Sequence, residues 1–289
     1  MKKKINSSPT PQPATRPALV VYQGEPGAYS EAALLEYFEN NVSAAGKGSF
    51  EAVFEAVEDG SCTYGFIPIE NSLAGSIHRN YDLLREHPLF IIGETTLRIR
   101  HCLIAMPGVE MGQIRTINSH LQALEQCRGY LNRWQGIQIE PVYDTAGAVK
   151  QLSTRRDQTT AAIASRRAAE LYGMNILAEG IEDNPANFTR FLVLATRPVD
   201  PGDDAKTSIV VALHNQPGSL FKGLSVFALR NIDLTKLESR PMIGQPGQYL
   251  FYIDFAGSIH EERVMHALNN LEEYATMMRV LGSYPRHHM

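Results

Sequence analysis

The sequence lacks the features that mark three large classes of protein. Its 289 residues contain three cysteines, Cys62, Cys102 and Cys127, which lie far apart in the chain. They fit neither a disulfide framework nor a metal knuckle, so we interpret them as reduced core thiols of a cytoplasmic protein. No apolar run is long enough to span a bilayer, and the net charge of −4 provides no basic surface for nucleic acid. We therefore expect neither a membrane nor a nucleic acid as a partner.

The sequence is also poor in signatures of metal and cofactor sites. The following histidines are scattered, and no pair of them has metal-ligand spacing with a third partner nearby: His78, His87, His101, His120 and His214. There is no Walker loop, no glycine-rich dinucleotide turn after a strand and no serine in a nucleophile elbow. We expect neither a metal nor a cofactor, which leaves acids, amides, hydroxyls and an arginine. That set suits binding, or a reaction in which the substrate reorganises its own bonds.

The pattern of apolar residues divides the chain into four parts. Residues 1–17, with Lys2, Lys3, Lys4 and four prolines, are predicted to form a disordered tail. In residues 18–196 strands alternate with helices, which predicts a mainly parallel α/β sheet. A long extended passage over residues 89–106 could cross between two lobes. Residues 197–206 are predicted to form a linker, because they combine prolines, a glycine and acidic residues.

Residues 207–285 have a different pattern. Strands are predicted at 208–213, 232–240, 249–255 and 276–281, with one helix after the first strand and another before the last. This βαββαβ order is typical of a small α+β sandwich. The exposed edges of so small a sheet favour pairing with a second copy of the chain.

Short polar side chains follow the predicted strands of the first region. They are Tyr29, Ser30, Glu70, Asn71, Ser119, Thr145 and Ser165. Ser30, for example, is placed to cap the helix predicted from residue 31. In open α/β sheets ligands bind at the carboxyl ends of strands, next to helix N-termini that carry a partial positive charge. Taken singly, each residue is as well explained as a helix cap; together they predict a cleft for a small carboxylated molecule.

The segment Asn187–Phe191, with sequence NFTRF, opens the last apolar strand of the first region. Alternation along a strand places Thr189 and Arg190 on opposite faces. At the mouth of the strand we nevertheless expect both side chains to reach one cleft. Taken alone, the pair is also explained by a β-forming threonine and a solvated arginine at a strand end. Pro68, in the predicted strand 65–69, indicates that this other strand lies at a sheet edge or near its own end.

Five motifs, in order and with suitable spacing, resemble those of one enzyme family. They are GEPGAYSE from Gly24, GFIPIENSLAGSI from Gly65, NFTRF from Asn187, NQPGSL from Asn215 and ESRP from Glu238. Over residues 19–284 the chain resembles the monofunctional prephenate dehydratases. The resemblance implies a two-lobed α/β catalytic region, built like periplasmic binding proteins, with its active site between the lobes. A ferredoxin-like α+β ACT domain would follow. The implied reaction removes carbon dioxide and water from prephenate to give phenylpyruvate, in phenylalanine biosynthesis.

The resemblance also implies site residues. The threonine that the family requires falls on Thr189, and further catalytic positions fall on Glu70, Asn71, Ser119, Gln126 and Arg190. We expect Tyr29, Ser30, Thr145 and Phe191 to contact the substrate. Expulsion of the ring hydroxyl needs a proton, which Thr189 donates or relays, or which Glu70 supplies if burial raises its pKa. Arg190 would anchor a carboxylate through its fork of donors.

In this family phenylalanine binds between paired ACT domains and inhibits the enzyme. The matching positions here are Asn215, Pro217, Gly218, Ser219, Leu220, Glu238, Ser239, Arg240 and Pro241. Ser219 stands where the family often has alanine, which leaves the effector preference open. A dimer or a tetramer is expected. Two alternatives remain: the same chemistry on arogenate, the amino counterpart of prephenate, and a non-catalytic module that senses an aromatic acid.

Overall fold

The computed structural model describes residues 17–242 and 244–288. The predicted disordered tail, residues 1–17, lies outside the described residues apart from Pro17. Three sheets organise the rest of the chain, with one sheet in each of two α/β lobes and one in a C-terminal domain. None of the described helices is long and apolar enough to cross a membrane.

The first lobe is a six-stranded mixed sheet flanked by three helices. Its strands are β1 (Ala18–Gln23), β2 (Val42–Lys47), β3 (Tyr64–Asn71), β4 (Gly75–Ser76), β5 (Phe90–Arg98) and β11 (Phe188–Ala195). Its helices are α1 (Tyr29–Tyr37), α2 (Phe50–Glu58) and α3 (His78–Glu86). The strand order is β2-β1-β3-β11-β5, with β4 paired to β3. The strand β11 therefore lies inside the sheet, between β3 and β5.

The second lobe is a five-stranded mixed sheet with the order β10-β6-β9-β7-β8. Its strands are β6 (Cys102–Ala105), β7 (Thr116–His120), β8 (Gln138–Val142), β9 (Thr160–Ala164) and β10 (Asn175–Glu179). Its helices are α4 (Leu121–Gln126), α5 (Arg128–Leu131), α6 (Thr145–Arg155) and α7 (Arg166–Leu171). The chain enters this lobe between β5 and β6 and leaves it between β10 and β11, so the predicted crossing within residues 89–106 is confirmed.

The C-terminal domain has the predicted βαββαβ order. Its elements are β12 (Ala205–Leu213), α8 (Ser219–Ala228), β13 (Leu234–Pro241), β14 (Tyr249–Ala256), α9 (Glu262–Glu272) and β15 (Ala275–Pro285). The antiparallel sheet has the order β13-β14-β12-β15. The strand β12 begins at Ala205, so it takes up the last two residues of the predicted linker.

The C-terminal sheet packs against the back of the first lobe. Leu192 and Leu194 of β11 share one core with Val210, Leu250 and Tyr252 of the C-terminal domain. On this contact Gly282 is required, because a Cβ atom at that position would lie 2.1 Å from the backbone oxygen of Ile91. The strand β11 thus has the C-terminal sheet behind it, while Phe191 and Val193 on its other face pack into a second core that contains residues of both lobes.

Most strands of the two lobes run parallel, as predicted, but each sheet is mixed, because β11 is antiparallel to β3 and β5 and β6 is antiparallel to β9 and β10. Two local expectations from the sequence are wrong. The strand β3 is internal, and Pro68 is accommodated at a shift of the register opposite Phe191. Helix α1 begins at Tyr29 after Ala28, and no side chain caps it, so Ser30 belongs to the first turn of the helix.

Candidate active site

A cavity of about 350 Å³ lies between the two lobes. Seven of the ten residues predicted to act on or contact the substrate line it: Tyr29, Ser30, Asn71, Gln126, Thr145, Thr189 and Phe191. The first lobe contributes Asn71 and Thr189, and the second lobe contributes Gln126 and Thr145. A substrate bound here would contact both lobes.

The register of the central strands sets the position of Thr189. Asn71 of β3 lies directly opposite Thr189 of β11, and Glu70 lies opposite Arg190. Directly opposed residues point to the same face of a sheet, and successive residues point to opposite faces. The pair Asn71–Thr189 therefore faces the cavity, whereas the pair Glu70–Arg190 faces the C-terminal domain.

Asn71 orients the hydroxyl group of Thr189. The backbone N–H groups of Leu73 and Ala74 donate to Asn71 Oδ1 at 3.0 and 2.9 Å, which identifies the oxygen of this carboxamide. Asn71 Nδ2 then donates to Thr189 Oγ1 at 3.0 Å. Because the Thr189 oxygen accepts this bond, its own proton is free to be donated to a group in the cavity.

Arg190 and Glu70 do not reach the cavity, so the expectation that they share a cleft with Thr189 is wrong. Arg190 Nη1 lies 2.6 Å from Asp254 Oδ2, and Arg190 Nη2 lies 2.7 Å from Glu94 Oε2. Glu70 pairs with Lys236 of β13 and lies 3.5 Å from Arg190. Both side chains are therefore engaged in the contact with the C-terminal domain, as strand alternation requires.

Ser119 is also separate from the cavity. Its side chain is fully buried, and Ser119 Oγ donates to the backbone oxygen of Ile163 at 2.6 Å, across the second sheet. The next residue, His120, lines the cavity instead. His120 Nδ1 accepts from the backbone N–H of Gln122 at 3.3 Å, which in the neutral imidazole leaves the proton on Nε2.

Three side chains of the site were not predicted from the sequence. His101 and His120 line the cavity, and the buried Asn187 lies next to it. The two histidines lack the spacing of metal ligands, and no other role was predicted for them. The available signal was their position: His101 lies in the passage that crosses between the lobes, His120 follows a strand, and Asn187 opens the NFTRF motif.

The predicted effector residues separate into two groups within one protomer. Asn215, Ser219 and Leu220 line a second cavity of about 140 Å³. Pro217 and Gly218 lie between Asn215 and Ser219 and form the turn into α8. The φ angle of 82° at Gly218 favours glycine. Glu238, Ser239, Arg240 and Pro241 lie on β13 and do not line that cavity.

Strand β13 links the C-terminal domain to the rim of the active-site cavity. Glu238 Oε2 accepts from Ser76 Oγ at 2.8 Å, and Ser76 also lines the cavity. Arg240 Nη2 lies 3.1 Å from Asp82 Oδ2 of α3. Ser239 and Pro241 alternate with these residues and are exposed. A displacement of β13 would therefore move Ser76.

Comparisons with known proteins agree on one family. Residues 20–199 match the family model described as prephenate dehydratase. The chain is 50% identical over 277 residues to arogenate dehydratase/prephenate dehydratase 2, chloroplastic, of Arabidopsis thaliana, an alignment that covers 92% of this chain and 72% of that protein.

Two solved structures are similar over almost the whole chain. A prephenate dehydratase from Arthrobacter aurescens in complex with L-Phe has a TM-score of 0.84 and 33% identity, with 93% of this chain and 90% of that chain covered. A structure described as GqqA, a novel type of quorum quenching acylase, has a TM-score of 0.86 and 33% identity, with 93% and 98% covered. The family model, the Arabidopsis relative and the Arthrobacter structure show that the chain belongs to the prephenate dehydratase family and is a hydro-lyase.

Proposed function

We propose that this protein converts prephenate to phenylpyruvate, and that Thr189 donates a hydrogen bond to the departing ring hydroxyl. The observation that carries the proposal is the bond from Asn71 Nδ2 to Thr189 Oγ1, which leaves the Thr189 proton directed away from Asn71. The accepted bond also withdraws electron density from the Thr189 oxygen and makes its proton more acidic. Donors placed where charge develops in the transition state contribute strongly to catalysis.

The reaction balances without an oxidant or a metal. The ring carbon–oxygen bond breaks with both electrons on the oxygen, which takes up one proton and leaves as water. The electron pair of the bond to the ring carboxylate completes the aromatic ring, and that carboxylate leaves as carbon dioxide. One proton is consumed per turnover, so Thr189 relays a proton that solvent replaces.

The geometry favours Thr189 over Glu70 as the group next to the leaving hydroxyl. Glu70 lies on the other face of the sheet, where its carboxylate pairs with Lys236 and Arg190. The Glu70 carboxylate is therefore directed away from the cavity and out of reach of a substrate bound there.

Uncharged groups suit this decarboxylation. Hydroxyl and carboxamide side chains line the cavity, among them Ser30, Gln126 and Thr145. At the N-terminus of α6 the carboxylate of Asp144 already accepts from the backbone N–H of Gly147, so the hydroxyl of Thr145 is the donor that this helix end offers to the cavity. A full ion pair with the departing carboxylate would stabilise the ground state, because carbon dioxide leaves uncharged. Weaker donors position the carboxylate without this penalty.

Arogenate is the second candidate substrate. The Arabidopsis relative, at 50% identity, is named as both an arogenate and a prephenate dehydratase. Purified protein should be assayed on both substrates, and the ratio of the two kcat/KM values decides between them. We expect prephenate to have the higher kcat/KM. The reverse ratio would establish arogenate as the preferred substrate. If neither substrate were turned over, the remaining hypothesis would be a non-catalytic module that senses an aromatic acid.

The C-terminal domain is proposed to act as an ACT regulatory domain that binds phenylalanine. The Arthrobacter relative was solved with L-Phe, and the contact between Glu238 and Ser76 supports a coupling of that domain to the cavity. Phe221 and Leu237 are exposed apolar residues of the domain, and β13 is an open sheet edge, which supports self-association. Loss of activity at saturating phenylalanine, and a dimer or tetramer by light scattering, are the expected results.

Two features implied by the sequence remain proposals. The likeness of the catalytic region to periplasmic binding proteins is a prediction that accords with the two-lobed arrangement. Cytoplasmic location is likewise a prediction, and the Arabidopsis relative is named as chloroplastic. Fractionation of the native source would test the location.

A further inference from the structure

Two backbone amides at the rim of the cavity set the direction of a chain of hydrogen bonds. The N–H groups of Leu73 and Ala74 fix Asn71 Oδ1 as an acceptor, so Asn71 presents its NH₂ group to its other neighbours. Asn71 Nδ2 donates to Asn187 Oδ1 at 2.7 Å. The oxygen of Asn187 is thereby identified, and its NH₂ group must point onward, away from Asn71.

The chain continues into the second lobe and returns to the first. Asn187 Nδ2 donates to Gln126 Oε1 at 3.0 Å. Because Gln126 Oε1 is an acceptor, His101 Nε2, which lies 2.9 Å from it, must carry a proton and donate. In the neutral imidazole His101 Nδ1 is then an acceptor. The hydroxyl of Tyr29 donates to it across 2.7 Å, which is shorter than its 3.1 Å distance to the other acceptor, the backbone oxygen of Arg100.

The surroundings of His101 keep this arrangement in place. The residue is 2% exposed, and burial lowers the pKa of its imidazole, which therefore stays uncharged near neutral pH. The ring of Tyr29 packs against it edge to face, with the ring centroids 5.5 Å apart. His101 lies between β5 and β6, in a passage that joins the two lobes.

The chain determines which group Gln126 turns towards the substrate. Gln126 Oε1 accepts two bonds, from His101 and from Asn187. Within residues 17–242 and 244–288, Gln126 Nε2 makes no hydrogen bond to a protein acceptor, while the side chain lines the cavity. A carboxamide whose oxygen is held on both sides presents its NH₂ group as a donor.

We propose that His101 is a positioning residue for the dehydration: by donating from Nε2 to Gln126 Oε1, it directs the Gln126 NH₂ group towards an acceptor oxygen of the substrate. This role rests on the proposed function of the cavity. It also ties Gln126 of the second lobe to Asn71 and Thr189 of the first through Asn187. The two lobes thus present their donors in one fixed geometry.

A pair of isosteric variants tests the role. In His101→Gln the amide nitrogen lies near the position of imidazole Nε2 and can still donate to Gln126, whereas in His101→Asn the shorter amide lies near the position of Nδ1. We expect His101→Asn to lower kcat/KM by about 100-fold, the scale of a misplaced reacting group. His101→Gln should recover most of that loss. Equal losses in the two variants would overturn the proposal.

The same pair in a Gln126→Ala background separates positioning from a general effect on the fold. If His101 acts through Gln126, the two substitutions become equivalent once the Gln126 side chain is gone. If the kcat/KM values of His101→Asn and His101→Gln still differed in the Gln126→Ala background, His101 would act by another route and the proposal would be withdrawn.

A spectroscopic measurement needs no turnover. In full-length protein labelled with ¹⁵N-histidine, long-range ¹H–¹⁵N spectra at neutral pH should show His101 with its proton on Nε2, and the His101→Gln variant assigns the signal. A proton on Nδ1, or a charged ring, would overturn the proposal even where His101→Asn fails to fold. If the enzyme turned over neither prephenate nor arogenate, the proposed function would fail. The position of the His101 ring proton would still show whether the hydrogen-bond chain has the proposed direction.

Discussion

Thr189 and Arg190 are neighbours on β11, yet their side chains face different parts of the molecule. Thr189 Oγ1 receives a hydrogen bond from Asn71 in the cavity between the lobes. Arg190 forms an ion pair of 2.6 Å with Asp254 of the C-terminal sheet. One strand therefore carries the proposed hydrogen-bond donor of the reaction on one face and an anchor for the C-terminal domain on the other.

Arg190 is expected to act chiefly on stability. The guanidinium group of Arg190 compensates the negative charges of the buried residues Asp254 and Glu94. Its Nη2 also donates a hydrogen bond to the hydroxyl of Tyr284 at 3.1 Å. Arg190→Met should lower the free energy of unfolding by about 3 to 5 kcal/mol, because it leaves the buried Asp254 without its ion-pair partner, while Glu94 keeps its pair with Lys206 at 2.6 Å. Chemical denaturation at neutral pH measures the loss.

The matched control for this variant is Arg79→Met. Arg79 pairs with Glu51 at 2.6 Å, but both side chains are more than two-fifths exposed. Such a pair contributes at most about 1 kcal/mol. A loss in Arg190→Met no larger than in the control would show that the buried cluster does not hold the C-terminal domain in place.

The pH dependence of stability should reveal the ion pair between Arg190 and Asp254. Burial alone would raise the pKa of Asp254, but the charge of Arg190, the hydrogen bonds from Arg190 and Ser208 and the charge of Lys206 together outweigh burial and hold this pKa below its ordinary value. The stability gained from ionised Asp254 is therefore present above the unfolded-state pKa of about 4 and is lost as the pH falls through the lower folded-state value.

In Arg190→Met burial is expected to prevail, so the pKa of Asp254 should rise. Protonation would then remove the uncompensated charge, and the deficit relative to the wild type should narrow as the pH falls from neutrality towards about 4.5. Denaturation curves across this range provide the measurement. A deficit that stays constant with pH would rule out Asp254 as the group responsible.

Glu238 is expected to carry the effector signal to the cavity. It accepts a hydrogen bond from Ser76, which lies on the cavity rim. Glu238→Ala should raise the phenylalanine concentration for half inhibition by about 10-fold, since it removes a contact through which the two sites are coupled. Glu262→Ala, at an exposed position of α9, is the control. Inhibition curves that coincide with the wild type would remove Glu238 from the coupling.

Asn71 is expected to matter through its NH₂ group. Asn71→Asp replaces that group by an oxygen, so Thr189 would donate its proton to the new carboxylate instead of to the substrate. Loss of one such donor typically lowers kcat by about 100-fold or more. Steady-state kinetics test this, with Asn175→Asp on the exposed end of β10 as the control. Full activity of Asn71→Asp would contradict the assigned orientation.

Local sequence patterns predicted most of the elements, because apolar spacing reflects which face is buried, but they did not predict β2, whose sequence VSAAGK has little such spacing. The crossing between lobes and the βαββαβ domain follow from such patterns. Alternation also placed Thr189 and Arg190 on opposite faces of their strand, but it did not show which face meets the cavity, because that depends on strand register. The opposition of Asn71 to Thr189, and of Glu70 to Arg190, is a long-range pairing that sequence spacing does not contain. His101 was missed for a similar reason, since its partners Tyr29 and Gln126 are distant in the chain.

Replacement of Thr189 tests the central claim most directly. Thr189→Val keeps the shape of the side chain and removes the hydroxyl, whereas Thr189→Ser keeps the hydroxyl and removes a methyl group. We predict that kcat on the preferred substrate falls by about 100-fold or more in the valine variant and is largely retained in the serine variant, with both variants folded by circular dichroism. A valine variant as active as the wild type would contradict the account, because the proton of the leaving hydroxyl would then come from elsewhere.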